Sequence, residues 1–214
     1  MENKYKPILF STEMVQAILA VRKTQTRRTQ GLSSLNKNPD LYGLGNVQIN
    51  GVFNFYLKEN EKGIWIEPKY QPGDILWVRE TFIDVGDQAE FFEGIRFHYK
   101  ADNSFVGCWP WKPSIHMPKE AARIFLEVTN VRCERLQDIS EEDAIAEGVE
   151  SSYTVCRNPG YAYKNYEKYY DFISPISSFA SLWRVINGAD SWKANPWVWV
   201  YQYKKIEKPE VWPQ

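Results

Sequence analysis

Short β-prone runs separated by turn residues recur along this chain, and a series of that kind suggests a β-barrel. The runs are Val52 to Leu57, Ile64 to Ile66 and Ile75 to Val78, the last introduced by the turn pair Gly73-Asp74. Arg123 to Glu134 alternates Ile124, Leu126 and Val128 against Arg123, Phe125 and Glu127, which predicts a long strand with one mostly apolar face. Trp197 to Tyr203 makes a last strand. Helical patterns interrupt the series, so the expected class is α+β. Ser11 or Thr12 caps a helix in which Met14, Val15, Ile18 and Leu19 recur at helical spacing. Ser140-Glu141-Glu142-Asp143 opens a second with capping-box spacing, and Gly148 is placed to end it. Glu147 then lies at the last turn, where the helix dipole disfavours a carboxylate, so unless it is simply exposed a cation from elsewhere is expected to hold it. Phe179, Leu182, Trp183 and Ile186 mark a third helix, stopped at Asn187-Gly188.

The 214 residues suit a single domain spanning 1–214, able to bury roughly 70% of its unfolded surface, with insertions at about 29–50, 84–118 and 151–178. Gly31, Ser33, Ser34, Asn36, Pro39, Gly43 and Gly45 give the first insertion turn chemistry, and it reads as a mobile loop. Three prolines between Trp109 and Pro118 predict a stiff, extended stretch that holds Trp109 and Trp111 in place. The Tyr-rich stretch from Ser151 to Ser178 reads as irregular. A net charge of -1 excludes a protein that grips long duplexes through a broad basic face. Cys108, Cys133 and Cys156 form no C-x-x-C pair and share no ligand spacing with His98 and His116, so neither a disulfide framework nor a metal site is expected. No stretch approaches the ~20 apolar residues that span a bilayer, and a soluble, cytoplasmic protein without membrane partners is expected.

Against this near-neutral background, Arg22-Lys23-Thr24-Gln25-Thr26-Arg27-Arg28 concentrates four cations and two hydroxyls in seven residues. Lys23, crowded by Arg22, Arg27 and Arg28, is expected to hold its proton less tightly than a free lysine. Were the segment helical, Thr26 would share a face with Lys23, placing base and nucleophile side by side. The same residues also fit a solvated basic rim or a phosphate-binding patch.

Five separated pieces together resemble the ASCH family, whose members fold as a small, PUA-like mixed β-barrel. They are Lys6 to Phe10, Arg22 to Arg28, Gly73 to Thr81, Leu136 to Ala144 and Asn195 to Val200. Trp111-Lys112-Pro113-Ser114-Ile115-His116-Met117-Pro118 looks like the longer ASCH proteins often carried by bacteriophages and prophages. The three insertions have no counterpart in the smallest members. The resemblance implies a nucleoside or nucleobase pocket, with no cofactor. Small bacterial members include amidohydrolases that deacylate N4-acetylcytidine and related compounds with a lysine, a threonine and a glutamate, and these match Lys23, Thr26 and Glu147. In that chemistry Arg22, Arg27 and Arg28 tune the lysine or hold an anion. Trp77, Trp109 and Trp111 are candidates to stack a base, while Arg79 and Glu80 either reach the barrel mouth or form a surface ion pair. A non-catalytic module that binds single-stranded RNA or a modified nucleotide is the alternative, and an accessory phage protein recognising a host component is a third.

Overall fold

In the computed structural model, residues 5–49, 51–103, 107–152, 162–168 and 174–210 are described, without the side chains of 46–49 and 152. In chain order the first elements are β1 (Tyr5–Leu9), α1 (Thr12–Leu19), β2 (Gln25–Arg28), β3 (Tyr42–Ile49), β4 (Val52–Leu57) and β5 (Gly63–Ile66). Then come β6 (Ile75–Arg79), β7 (Phe82–Asp84), β8 (Phe97–Tyr99), β9 (Phe125–Arg135) and α2 (Glu141–Ala146). The chain closes with β10 (Ser151–Ser152), β11 (Ala162–Tyr163), α3 (Pro175–Asn187) and β12 (Trp197–Ile206). The chain is thus mixed α+β and mostly strand, and the strand and helix positions follow the local patterns closely. Pairings among the described residues run in open order, without closure into a barrel. Two compact units are present: residues 1–21, 73–128 and 204–214 form one, and residues 22–72 and 129–203 the other.

In the first unit β1 lies parallel to β6, with Tyr5 opposite Ile75, and β6 pairs antiparallel with the start of β9, Ile75 opposite Glu127. Ser11 accepts from the Met14 amide and caps α1, which buries Val15, Ala17 and Ile18. The described part of the 84–118 stretch is built rather than loose. β7 and β8 pair, Lys112 bridges to Phe82, and Phe82, Met117 and Ala121 form a small core against Phe97 and Tyr99.

In the second unit the neighbours run β9-β12-β2, so β12 is central, and Trp197 to Tyr201 are buried without a break because both of its faces are covered. A separate β3-β4-β5 sheet turns Phe53 and Phe55 inward, edge-on to Trp199 and Trp197 at 4.8 and 5.5 Å. Its outer face needs Gly43, since a Cβ there would lie 2.4 Å from the Tyr56 ring. The expectation of a mobile 29–50 loop is overturned for its described part. Leu32 and Leu35 are fully buried, Asn36 exchanges two hydrogen bonds with the Trp197 backbone (3.0 and 2.8 Å), and Trp199 donates to the Gln30 carbonyl. Apolar side chains hidden among turn residues do the packing that the turn residues conceal. The Tyr-rich insertion is ordered at its described ends, with β10 paired to β11 and α3 beginning at Pro175.

Candidate active site

The basic segment is extended, not helical. Chain continuity after α1 passes through Val21 at φ 57, and Lys23 then forms an antiparallel bridge with Glu147 before β2 pairs with β12, Gln25 opposite Gln202 and Arg28 opposite Trp199. In a strand, successive side chains alternate, so Lys23, Gln25 and Arg27 share one face. All three reach α2 or its end: Lys23 bonds Glu147, Gln25 donates to the Asp143 carbonyl at 2.9 Å, and Arg27 bonds both Asp143 and Glu147. Thr26 is buried on the opposite face, in register with Tyr201. The side-by-side placement of Lys23 and Thr26 that helical spacing implied is therefore absent, because residues three apart in a strand face opposite ways.

Local sequence fixes the other half of the site. Ser140 accepts from the Asp143 amide at 3.1 Å and starts α2, Glu147 is its C-cap, and Gly148 takes φ +89, the left-handed turn that ends helices. The last carbonyls of a helix lack intrahelical partners and carry its negative pole. Here they receive donors from the basic segment in reverse order: Ala146 from the Thr24 amide (2.9 Å), Glu147 from Lys23 Nζ (2.8 Å) and Gly148 from Arg22 (2.9 Å). The cation expected to hold Glu147 at this unfavourable end is present twice over. Lys23 Nζ donates to Oε2 at 2.9 Å and Arg27 to Oε1 at 3.0 Å.

Arg27 extends the cluster. Its guanidinium also donates to Glu134 at 2.5 Å and Asp143 at 2.8 Å, and lies 5.7 Å from the Phe179 ring centre. Arg132 bonds the same two carboxylates, Glu134 at 3.0 Å and Asp143 closely. Three cations thus meet three carboxylates, with the side chains of Lys23, Arg27 and Glu147 only 1, 0 and 4% exposed.

Burial is the largest influence on Lys23 and lowers its pKa below the usual lysine value. Glu147 pulls it back up, and Arg28 and Arg27 add to the lowering. The arginines are thus secondary to desolvation in tuning the lysine, and the lowering survives direct contact with a carboxylate. Burial raises Asp143, but Arg27 and Arg132 together bring it below the ordinary range. Tyr203, whose hydroxyl donates to the Gln25 carbonyl at 3.4 Å, is pushed well up by burial and then by Glu147.

The remaining sequence-predicted residues divide. Arg22 is exposed and Arg28 half-buried beside this cluster, whereas Trp77, Arg79, Glu80, Trp109 and Trp111 belong to the first unit. Trp77 fills a small core with Ala122 and Phe125, so at 5% exposure it is no stacking wall. Arg79 lies over its ring at 5.5 Å and donates to the Ile115 carbonyl. Glu80 is not in a surface ion pair with Arg79. It is buried and held by both arms of Arg123 at 2.9 Å, and Arg123 also grips Asp102 and stacks on Tyr99 at 3.8 Å. Trp109 is half-buried, edge-on to Phe92 at 5.3 Å, and Trp111 is half-buried.

Sequence reasoning missed Gln25, Arg132, Glu134, Asp143 and Tyr203. The period of two in Lys23-Gln25-Arg27 and in Arg132-Glu134 was the available signal. Among the described residues no group of three or more His, Cys, Asp or Glu is arranged to hold a metal ion, and no helix is long and apolar enough to cross a membrane. Cys108 is exposed, Cys133 is buried with its thiol pushed up by desolvation, and Cys156 lies outside the described residues. In comparisons with protein-family models, curated proteins and solved structures, no significant match to this chain is found.

Proposed function

We propose that the chain is an ASCH-like, PUA-related amidohydrolase that removes acyl groups from N4-acylated cytidine or cytosine, with Lys23 and Glu147 as its proton-transferring pair. The observation that carries this proposal is the buried 2.9 Å bond between Lys23 and Glu147, two residues nominated together although 124 positions apart. Burial lowers the pKa of Lys23 and so favours the free amine, the form that base chemistry asks of it. As the free amine, Lys23 takes the proton of the attacking hydroxyl. Glu147, a carboxylate held by Arg27, relays that proton from Lys23 to the departing exocyclic nitrogen. The proton taken from the attacking group is then the one the leaving nitrogen receives, and Lys23 and Glu147 end the cycle as they began it.

Because β2 turns Thr26 away from Lys23, the attacking oxygen is assigned to water, a departure from the threonine nucleophile that the resemblance implies. Phosphate binding by the basic segment is the weaker alternative, since the charges of Lys23 and Arg27 are already met by carboxylates. The test is acetate release from N4-acetylcytidine. Wild type is expected to turn over, Lys23→Ala to lose at least about a hundredfold, consistent with general acid–base contributions, and Thr26→Val to retain activity. Absence of wild-type release across acylated cytosines and cytidines rejects the amidohydrolase, and loss in Thr26→Val returns the attack to its hydroxyl.

A further inference from the structure

We infer that Arg27 is the positioning residue of the Lys23–Glu147 pair: its planar fork pins one oxygen of Glu147 so that the other faces the lysine, and braces that carboxylate against Asp143 and Glu134. This rests on the proposal that the pair transfers protons. Arg27 touches three carboxylates from two elements, Glu147 Oε1 at 3.0 Å, Asp143 Oδ2 at 2.8 Å and Glu134 Oε1 at 2.5 Å, with its own side chain wholly buried. A carboxylate with one oxygen fixed presents the second in a single direction, and Lys23 sits in that direction at 2.9 Å. Only a guanidinium can do this, because its donors are spread in a rigid plane while an ammonium is a point charge. Arg27 also brings a second positive charge close to Lys23, which opposes protonation of the lysine.

The surroundings restrict what else can produce that effect. From β2, Arg28 acts in the same sense as Arg27 on Lys23. From β12, Tyr203 faces Glu147 and Arg28, while from β9 Arg132 and Glu134, and from α2 Asp143, bond the far side of the guanidinium or its partners. Arg22 is engaged with the Gly148 carbonyl. Among these side chains Arg27 bonds both Glu147 and the outer carboxylates.

The experiment is a pH titration of the Lys23 side-chain nitrogen by NMR in the full chain, assigned with Lys23→Arg, alongside the pH profile of acetate release. Arg27→Gln is expected to move the Lys23 midpoint up by about one pH unit, with the corresponding limb of the rate profile moving the same way. Arg27→Lys keeps the charge but cannot span the three carboxylates, so Glu147 turns fully to Lys23 and the midpoint rises by less. Gln25→Ala removes an uncharged tie between the same strand and helix and is expected to leave the midpoint in place. A midpoint unmoved in the Arg27 variants, or moved equally by Gln25→Ala, overturns the inference. Should Arg27→Gln fail to fold, Arg27→Lys decides alone by the same criterion. Wild type without hydrolysis rejects the amidohydrolase, while the titration still judges Arg27.

Discussion

Glu80 and Glu147 are both buried carboxylates, yet they sit in different balances. Glu147 has cations on both of its oxygens, whereas Glu80 relies on one arginine, and burial outweighs Arg123 so that its pKa is raised above 4.5. A carboxyl with a raised folded pKa stabilises the fold fully below its unfolded value and loses that contribution as pH climbs through the folded one. Relative to Glu80→Gln, wild type should therefore lose stability as pH rises above 4.5, by about 1.4 kcal/mol for each unit of the shift. Denaturant unfolding of both proteins at a series of pH values measures the difference, and a difference that widens in favour of wild type contradicts it. The resemblance nominated Lys23 and Glu147 together, and the awkward carboxylate at a helix end announced a missing cation without naming it. Neither could assign Arg27 its partners, because they lie 107 to 120 positions away and only the fold brings them in.

At the level of elements, the strands and helices were legible because their signals are local: Ser11 and Ser140 as caps, Gly148 as a stop, alternation in β9. What failed was the stretch after Thr29, where turn residues masked an anchored segment. Asn36 lies 161 positions from Trp197, and no local pattern announces such a partnership. Asn36→Ala strips the Trp197 backbone of two hydrogen bonds and is expected to cost about 1–3 kcal/mol. The denaturant midpoint should fall while the dependence on denaturant concentration holds; an unchanged midpoint means the segment is not fastened there. The basic segment shows the same limit. Its residues were read with helical spacing, but pairing with β12 imposed a period of two and so decided which side chains meet.

Across the whole chain, charge is nearly balanced, and the basic segment spends two of its four cations on internal carboxylates. With Lys23 and Arg27 held by internal carboxylates, the basic segment can contribute no more than about -1.4 to the slope of the logarithm of RNA oligonucleotide affinity against the logarithm of salt, since a single strand contributes about -0.7 per contact. A contribution of about -2.8, read as the difference in slope between wild type and a variant with all four cations replaced, implies that all four face the nucleic acid and that the ion pairs described here open. The partition of the chain carries a different lesson. The partners of Lys23, Arg27 and Glu147 named above fall in residues 22–72 and 129–203. Heredity cannot therefore edit these two stretches of the gene independently. Codons 23 to 27 are bound to those between 132 and 147, since a charge lost from one stretch leaves a buried partner in the other uncompensated, and the two must drift together.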